Sequence, residues 1–139
     1  MAEFLNKKYK LHSSNKFDEY MAELNVGFVS RKLGNSVTPV VEVTLDGDEY
    51  TLTTSSLLKT LVIKFKLGQE FDELRADGVQ VKSTITLDGN VMTHIMKGEP
   101  KSTIIREFNG NEMKATFTAN NVVCTRVYKA EWKCIETTK

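Results

Sequence analysis

The chain is 139 residues long, 40% hydrophobic and 27% charged, which fits a single domain with an ordinary buried core. Its 19 Lys and Arg against 18 Asp and Glu leave a formal charge of +1, so no bulk field draws it to nucleic acid or to an anionic surface. "MAEFLNKKYKLHSS" holds no signal-peptide core, and no apolar run reaches the ~18 residues of a membrane span, so the sequence predicts a cytoplasmic protein.

A first strand is expected from about Phe4 to Leu11. In "SSNKFDEYMAELNVG", Phe17, Tyr20, Met21 and Leu24 recur at i, i+3, i+4 and i+7 and predict an amphipathic helix. Asn15 is expected to cap it, with Asp18 and Glu19 at the positive end of its dipole. "VGFVSRKLGN" reads as a second short helix, with Phe28, Val29 and Leu33 roughly on one side and Gly34-Asn35 as its stop.

After about residue 38 the rhythm becomes that of short strands. Asp46-Gly47, Asp77-Gly78, Asp88-Gly89 and Asn109-Gly110 are hairpin signals, and "SSLLK", "KLGQE", "KGEPK" and "ANN" add further breaks. Between them, Val79, Val81, Ser83, Ile85 and Leu87 alternate with polar residues, as do Leu61, Ile63 and Phe65 with Lys64 and Lys66. Evenly spaced strands of this kind, about ten in all, predict an all-β antiparallel barrel or sandwich rather than a parallel α/β sheet. The domain is expected over residues 1–131, with the helices at about 16–35, and the polar stretch 132–139 is expected to be a tail.

Catalytic and metal chemistry finds little support. The chain contains no HExxH, GxSxG, GxxxxGK[ST] or GxGxxG motif, no CxxC pair and no evident nucleophile–base pair, so no enzyme, cofactor or metal is expected. His12 and His94 are isolated and read as surface or hydrogen-bonded structural residues. Cys124 and Cys134 lie ten positions apart on one extended segment, beyond disulfide reach at ~3.3 Å per residue, and are expected to be reduced thiols.

The remaining clue is charge on apolar strand faces. Arg106 shares its face with Ile104 and Phe108, and Arg126 shares its face with Val122, Cys124 and Tyr128. Alternation alone leaves the direction open, because Val123, Thr125 and Val127 would also serve as an inner row. If both arginines are interior, each needs an acceptor, since an unpaired buried charge costs several kcal/mol. No acidic partner is evident on those faces, which points to a bound carboxylate.

The stretches "KYKLHSSNKFDEYMAELNVGFVSRKLGN", "FKLGQEFDE", "ADGVQVKSTITLDG", "IIREFNG" and "VVCTRVYKA" match the intracellular lipid-binding proteins in order, spacing and content over about residues 1–131. The chain resembles the fatty acid-binding branch of that family. The resemblance implies a ten-stranded up-and-down antiparallel barrel of two near-orthogonal sheets, with a helix-turn-helix cap over a large interior cavity. It also implies a long-chain fatty acid whose carboxylate is held by Arg106, Arg126 and Tyr128. Arginine at both positions favours an acid over a retinol-like ligand and leaves a carboxylated retinoid or another hydrophobic acid as the alternative; a non-catalytic interaction module is the alternative of another class.

Carried over by position, Phe17, Tyr20, Met21, Leu24 and Val26 would form the underside of the cap, and Val41, Ile104, Ala115 and Phe117 the cavity wall. Ser30, Pro39, Leu58, Lys59, Ala76 and Asp77 would lie at the portal. Two departures stand out: Tyr9 occupies a usual tryptophan position within "NKKY", and Leu58 replaces a phenylalanine near the cavity mouth. Arg31, Lys32 and Lys59 suggest a transient dock for anionic membranes. A closed barrel without free edges would favour a monomer.

Overall fold

The computed structural model describes residues 2–130. Ten strands and two helices follow in the order β1 (Lys8–Asn15), α1 (Phe17–Glu23), α2 (Phe28–Ser36), β2 (Val40–Asp46), β3 (Glu49–Ser55), β4 (Thr60–Lys66), β5 (Phe71–Leu74), β6 (Gln80–Asp88), β7 (Val91–Lys97), β8 (Ser102–Asn109), β9 (Glu112–Ala119) and β10 (Val122–Ala130). The strands form one antiparallel ladder, β4-β3-β2-β1-β10-β9-β8-β7-β6-β5, that curls into a nearly closed barrel.

The sequence breaks account for this meander. Tight loops after β2, β8 and β9 begin on residues with positive φ, Gly47 at 66°, Gly110 at 64° and Asn120 at 53°, where glycine and asparagine are the least strained choices. Alternation then sets the faces: Val81, Ser83 and Ile85 of β6 and Met92, His94 and Met96 of β7 are buried, while the residues between them are more exposed.

Four expectations need correction. The first strand runs from Lys8 to Asn15 rather than from Phe4 to Leu11, because its later residues pair with β10 beyond an irregularity between Leu11 and Ser13. Phe4 instead closes the base of the barrel, its ring stacked on Phe108 at 4.1 Å between centroids. Asn15 does not cap α1: the N-cap is Lys16, in a left-handed conformation (φ 67°) with no side-chain cap bond. Nor does Gly34 end α2, which continues to Ser36. A Cβ at Gly34 would lie 3.1 Å from Met21 Sδ, so the glycine lets the two helices approach closely.

The barrel is also not sealed all round. No ladder joins β4 to β5, and these two strands are the free ends of the sheet. Among the described residues no helix is long and apolar enough to cross a membrane. The expected tail 132–139, with Cys134, lies outside the described residues; Cys124 is a buried free thiol.

Candidate functional site

Beneath the cap lies a cavity of about 370 Å³. Its wall combines apolar side chains from both halves of the barrel, Val41, Leu52, Ile63, Phe71, Met96, Ile104 and Phe117, with Phe17, Tyr20 and Met21 of α1. Set into this wall are Arg106, Arg126 and Tyr128, together with Glu73, Arg75 and His94.

Strand register explains how the two arginines meet. Arg106 on β8 and Arg126 on β10 both pair across the ladder with Ala115 of β9, so a minimal side chain separates them in one transverse row. The row continues to Ser14 of β1, whose Oγ accepts a hydrogen bond of 3.1 Å from Arg126 Nε. Arg126 also lies over the Phe17 ring, 3.7 Å from its centroid, a cation–π contact that tethers α1 to the barrel interior. Both arginines are buried, as is Tyr128, whose pKa burial raises against the opposing pull of Arg126 and Arg106.

The two arginines differ in their surroundings. Arg106 Nη1 donates to His94 Nδ1 at 3.4 Å, and His94 Nε2 donates to Glu73 Oε1 at 2.8 Å. Burial lowers the His94 pKa, and Arg106 adds to that effect against the opposing Glu73 hydrogen bond, so the ring is neutral with its proton on Nε2. Glu73 is held below the usual carboxylate range: burial works against its charge, but His94, Ser83 and Arg106 outweigh it. Burial likewise lowers the Arg106 pKa. Arg106 thus has an acidic counterpart inside the protein, reached through a histidine, contrary to the expectation of none. Arg126 forms no ion pair among the described residues.

A second polar cluster stands at the edge of the cavity. Arg75 Nε and Nη2 each donate to Asp77 at 2.9 Å, and Nη1 donates to the Pro100 carbonyl, which joins the β5–β6 turn to the β7–β8 loop. A Cβ on Gly98 would sit 2.6 Å from Val81 Cγ1 and 3.1 Å from Arg75 Nη1, so only glycine leaves room for the guanidinium. Nearby, Tyr20 Oη and Ser102 Oγ are 2.6 Å apart and fasten α1 to the start of β8.

Residues 7–131 match the family described as "Lipocalin / cytosolic fatty-acid binding protein family". The chain belongs to that family. It is 48% identical over 128 residues to a fatty acid-binding protein of Tyrophagus putrescentiae, an alignment covering 91% of this chain and 98% of the relative. Its fold is similar to that of a fatty acid-binding protein from brain tissue of Drosophila melanogaster, with a TM-score of 0.91 and 61% identity over 92% of this chain and 100% of the other. A Schistosoma mansoni fatty acid binding protein in complex with arachidonic acid gives a TM-score of 0.90 and 40% identity, covering 95% of this chain and 98% of that one.

Against the family-derived expectations, Phe17, Tyr20, Met21, Val41, Ile104, Phe117, Pro39 and Ala76 line the cavity. Leu24 and Ala115 are buried in the packed core, and Val26 packs partly buried against it. Ser30, Leu58 and Lys59 are exposed, and Asp77 serves as the partner of Arg75. Sequence reasoning missed Glu73, Arg75 and the cavity position of His94. One signal was available: His94 sits between Met92 and Met96 in an alternating inward row, where an exposed histidine is the less natural reading.

Proposed function

We propose that this protein reversibly binds a long-chain fatty acid in the cavity, with the carboxylate held by Arg126, Tyr128 and Arg106, and carries it through the cytoplasm as a monomer. The observation that carries this reading is the buried Arg126 guanidinium on the cavity wall, which sits beside Tyr128 and forms no ion pair among the described residues. A carboxylate complements such a group, since the planar fork binds it bidentately and a phenol adds a further donor. The fatty acid-binding names of the relatives support the same ligand class.

Affinity comes mainly from the chain. Burying about fourteen methylenes at ~0.8 kcal/mol each gains on the order of 11 kcal/mol before ordering costs. The head-group contacts then choose the ligand class and its orientation.

The test is extraction and mass spectrometry of co-purified lipid, together with titration of stearate into the wild type and Arg126→Gln. A loss of about tenfold or more in affinity is expected for the variant, the scale of a hydrogen bond to a charged group. Unchanged affinity and unchanged preference for acid over alcohol would overturn the anchor. Displacement of stearate by retinoic acid at equal or lower concentration would favour the retinoid reading, and absence of any ligand-dependent stabilisation would favour an interaction module.

The cap surface favours membrane contact during transfer. No residue of α2 is buried; Phe28 is 66% and Val29 71% exposed, and Leu57 and Leu58 of the β3–β4 loop are exposed as well. Arg31 is occupied by Asp18 and the Val26 carbonyl, so Lys32 and Lys59 are the freer cations. Transfer to anionic vesicles should slow with added salt and with Phe28→Ser/Val29→Ser; rates indifferent to both would remove the membrane from the scheme.

A further inference from the structure

We propose that Glu73 forms a second polar subsite on the cavity wall, one that accepts a hydrogen bond from a hydroxyl group carried on the acyl chain. This rests on the reading that a fatty acid occupies the cavity, and it narrows the ligand class to one that includes hydroxylated fatty acids.

Glu73 stands on β5, one of the two free edges of the sheet, and its side chain is 10% exposed while lining the cavity. Oε1 is fully engaged: it accepts from Ser83 Oγ at 2.7 Å and from His94 Nε2 at 2.8 Å. A carboxylate has capacity for about four hydrogen bonds. Oε2 accepts none among the described residues, and no side-chain N or O atom cut off from solvent is left without a partner among them, so Oε2 keeps access to solvent on a side chain that lines the cavity.

Everything else about the group fixes what it takes. The hydrogen bonds from Ser83 and His94 and the charge of Arg106 keep Glu73 ionised, and an ionised carboxylate accepts hydrogen bonds without donating any. A methylene beside it gains nothing, a second carboxylate is repelled, and a hydroxyl donates to it. The cost of moving such a hydroxyl out of water is offset by a charge-assisted bond in a wall that also carries Ile63, Phe71, Met96 and Ile104. His94 sits between Glu73 and Arg106, so the subsite and the head-group anchor are ends of one hydrogen-bonded chain: the anchor takes the acid and the subsite takes the donor.

The experiment measures dissociation constants of stearate and a positional series of monohydroxystearates by calorimetry, on the wild type and on Glu73→Gln. One isomer is expected to bind the wild type about tenfold more tightly than stearate, with Glu73→Gln reducing that ratio to about one, the ratio being read within each protein so that any change in stearate affinity itself cancels. The subsite is overturned if every hydroxystearate binds the wild type no better than stearate, an outcome independent of how the variant folds. It is equally overturned if the preference survives Glu73→Gln. Failure of stearate itself to bind would overturn the carrier reading and the subsite together, whereas stearate binding without any hydroxyl preference overturns the subsite alone.

Discussion

The base of the barrel and the chamber above it follow the same alternation of inward and outward residues but use it for opposite ends. At the base, Phe4 stacks on Phe108, Tyr9 closes on the same ring at 5.5 Å, and Met113, opposite Phe108 in the ladder, is fully buried. In the chamber the inward positions carry Arg106, Arg126, His94 and Glu73, and the centre is left unfilled. Close packing supplies stability, whereas charges facing a void contribute little and cost desolvation. The base therefore stabilises the fold, and the chamber spends part of that stability on a binding site.

Truncation should separate the two. Phe108→Ala is expected to cost about 3–5 kcal/mol in urea unfolding, with ligand affinity little changed. Phe17→Ala, at a half-buried ring that covers Arg126, is expected to cost about 1 kcal/mol and to weaken stearate binding several-fold. Equal stability losses from the two substitutions would erase the contrast.

Acid should act first on the chamber. The folded-state pKa of His94 lies below its ordinary 6.5, so the unfolded chain takes up a proton first and stability falls as pH drops below about 6.5. The folded-state pKa of Glu73 lies below its ordinary 4.5, so its contribution is present above that value and is lost as pH falls further. His94→Gln should flatten the upper part of this loss, between about pH 6.5 and 5, by at most about 1.4 kcal/mol per pH unit. A pH profile superimposable on that of the wild type would place the acid sensitivity elsewhere.

The smallest expected effect concerns Cys124, whose thiol burial pushes up to about 11. Alkylation at pH 8 should leave it untouched in the native protein and modify it readily in urea, as followed by peptide mass spectrometry. Rapid native modification would mean that β10 opens as easily as the cap.

Local patterns carried most of the strand order, because turn residues and period-two alternation are properties of neighbouring positions. They carried Arg106, Arg126 and Tyr128 only as far as a shared face, and the family resemblance supplied the direction of that face. Glu73 and Arg75 escaped notice because β5 is four residues long and reads "FDEL", half of it acidic, so its inner face is fixed only by pairing with β6. The two helices show the same limit. Both carry spaced apolar residues, yet α1 buries Tyr20 and Met21 and α2 buries none, since α1 packs directly on β9 and β10 whereas the main neighbour of α2 is α1. The end of α2 was misread because Gly34 answers to the approach of Met21 rather than to helix termination.

The open seam between β4 and β5 has a consequence for how the chain can be cut. Among the described residues every ladder except one joins strands that follow each other in sequence; the exception is β1 with β10, where Tyr9 lies opposite Ala130. The start of the first strand and the end of the last are therefore neighbours. A circular permutant that links those ends and opens the chain within residues 67–70 would keep all the ladders described, while turning the sequence-distant pairing of β1 with β10 into a local one.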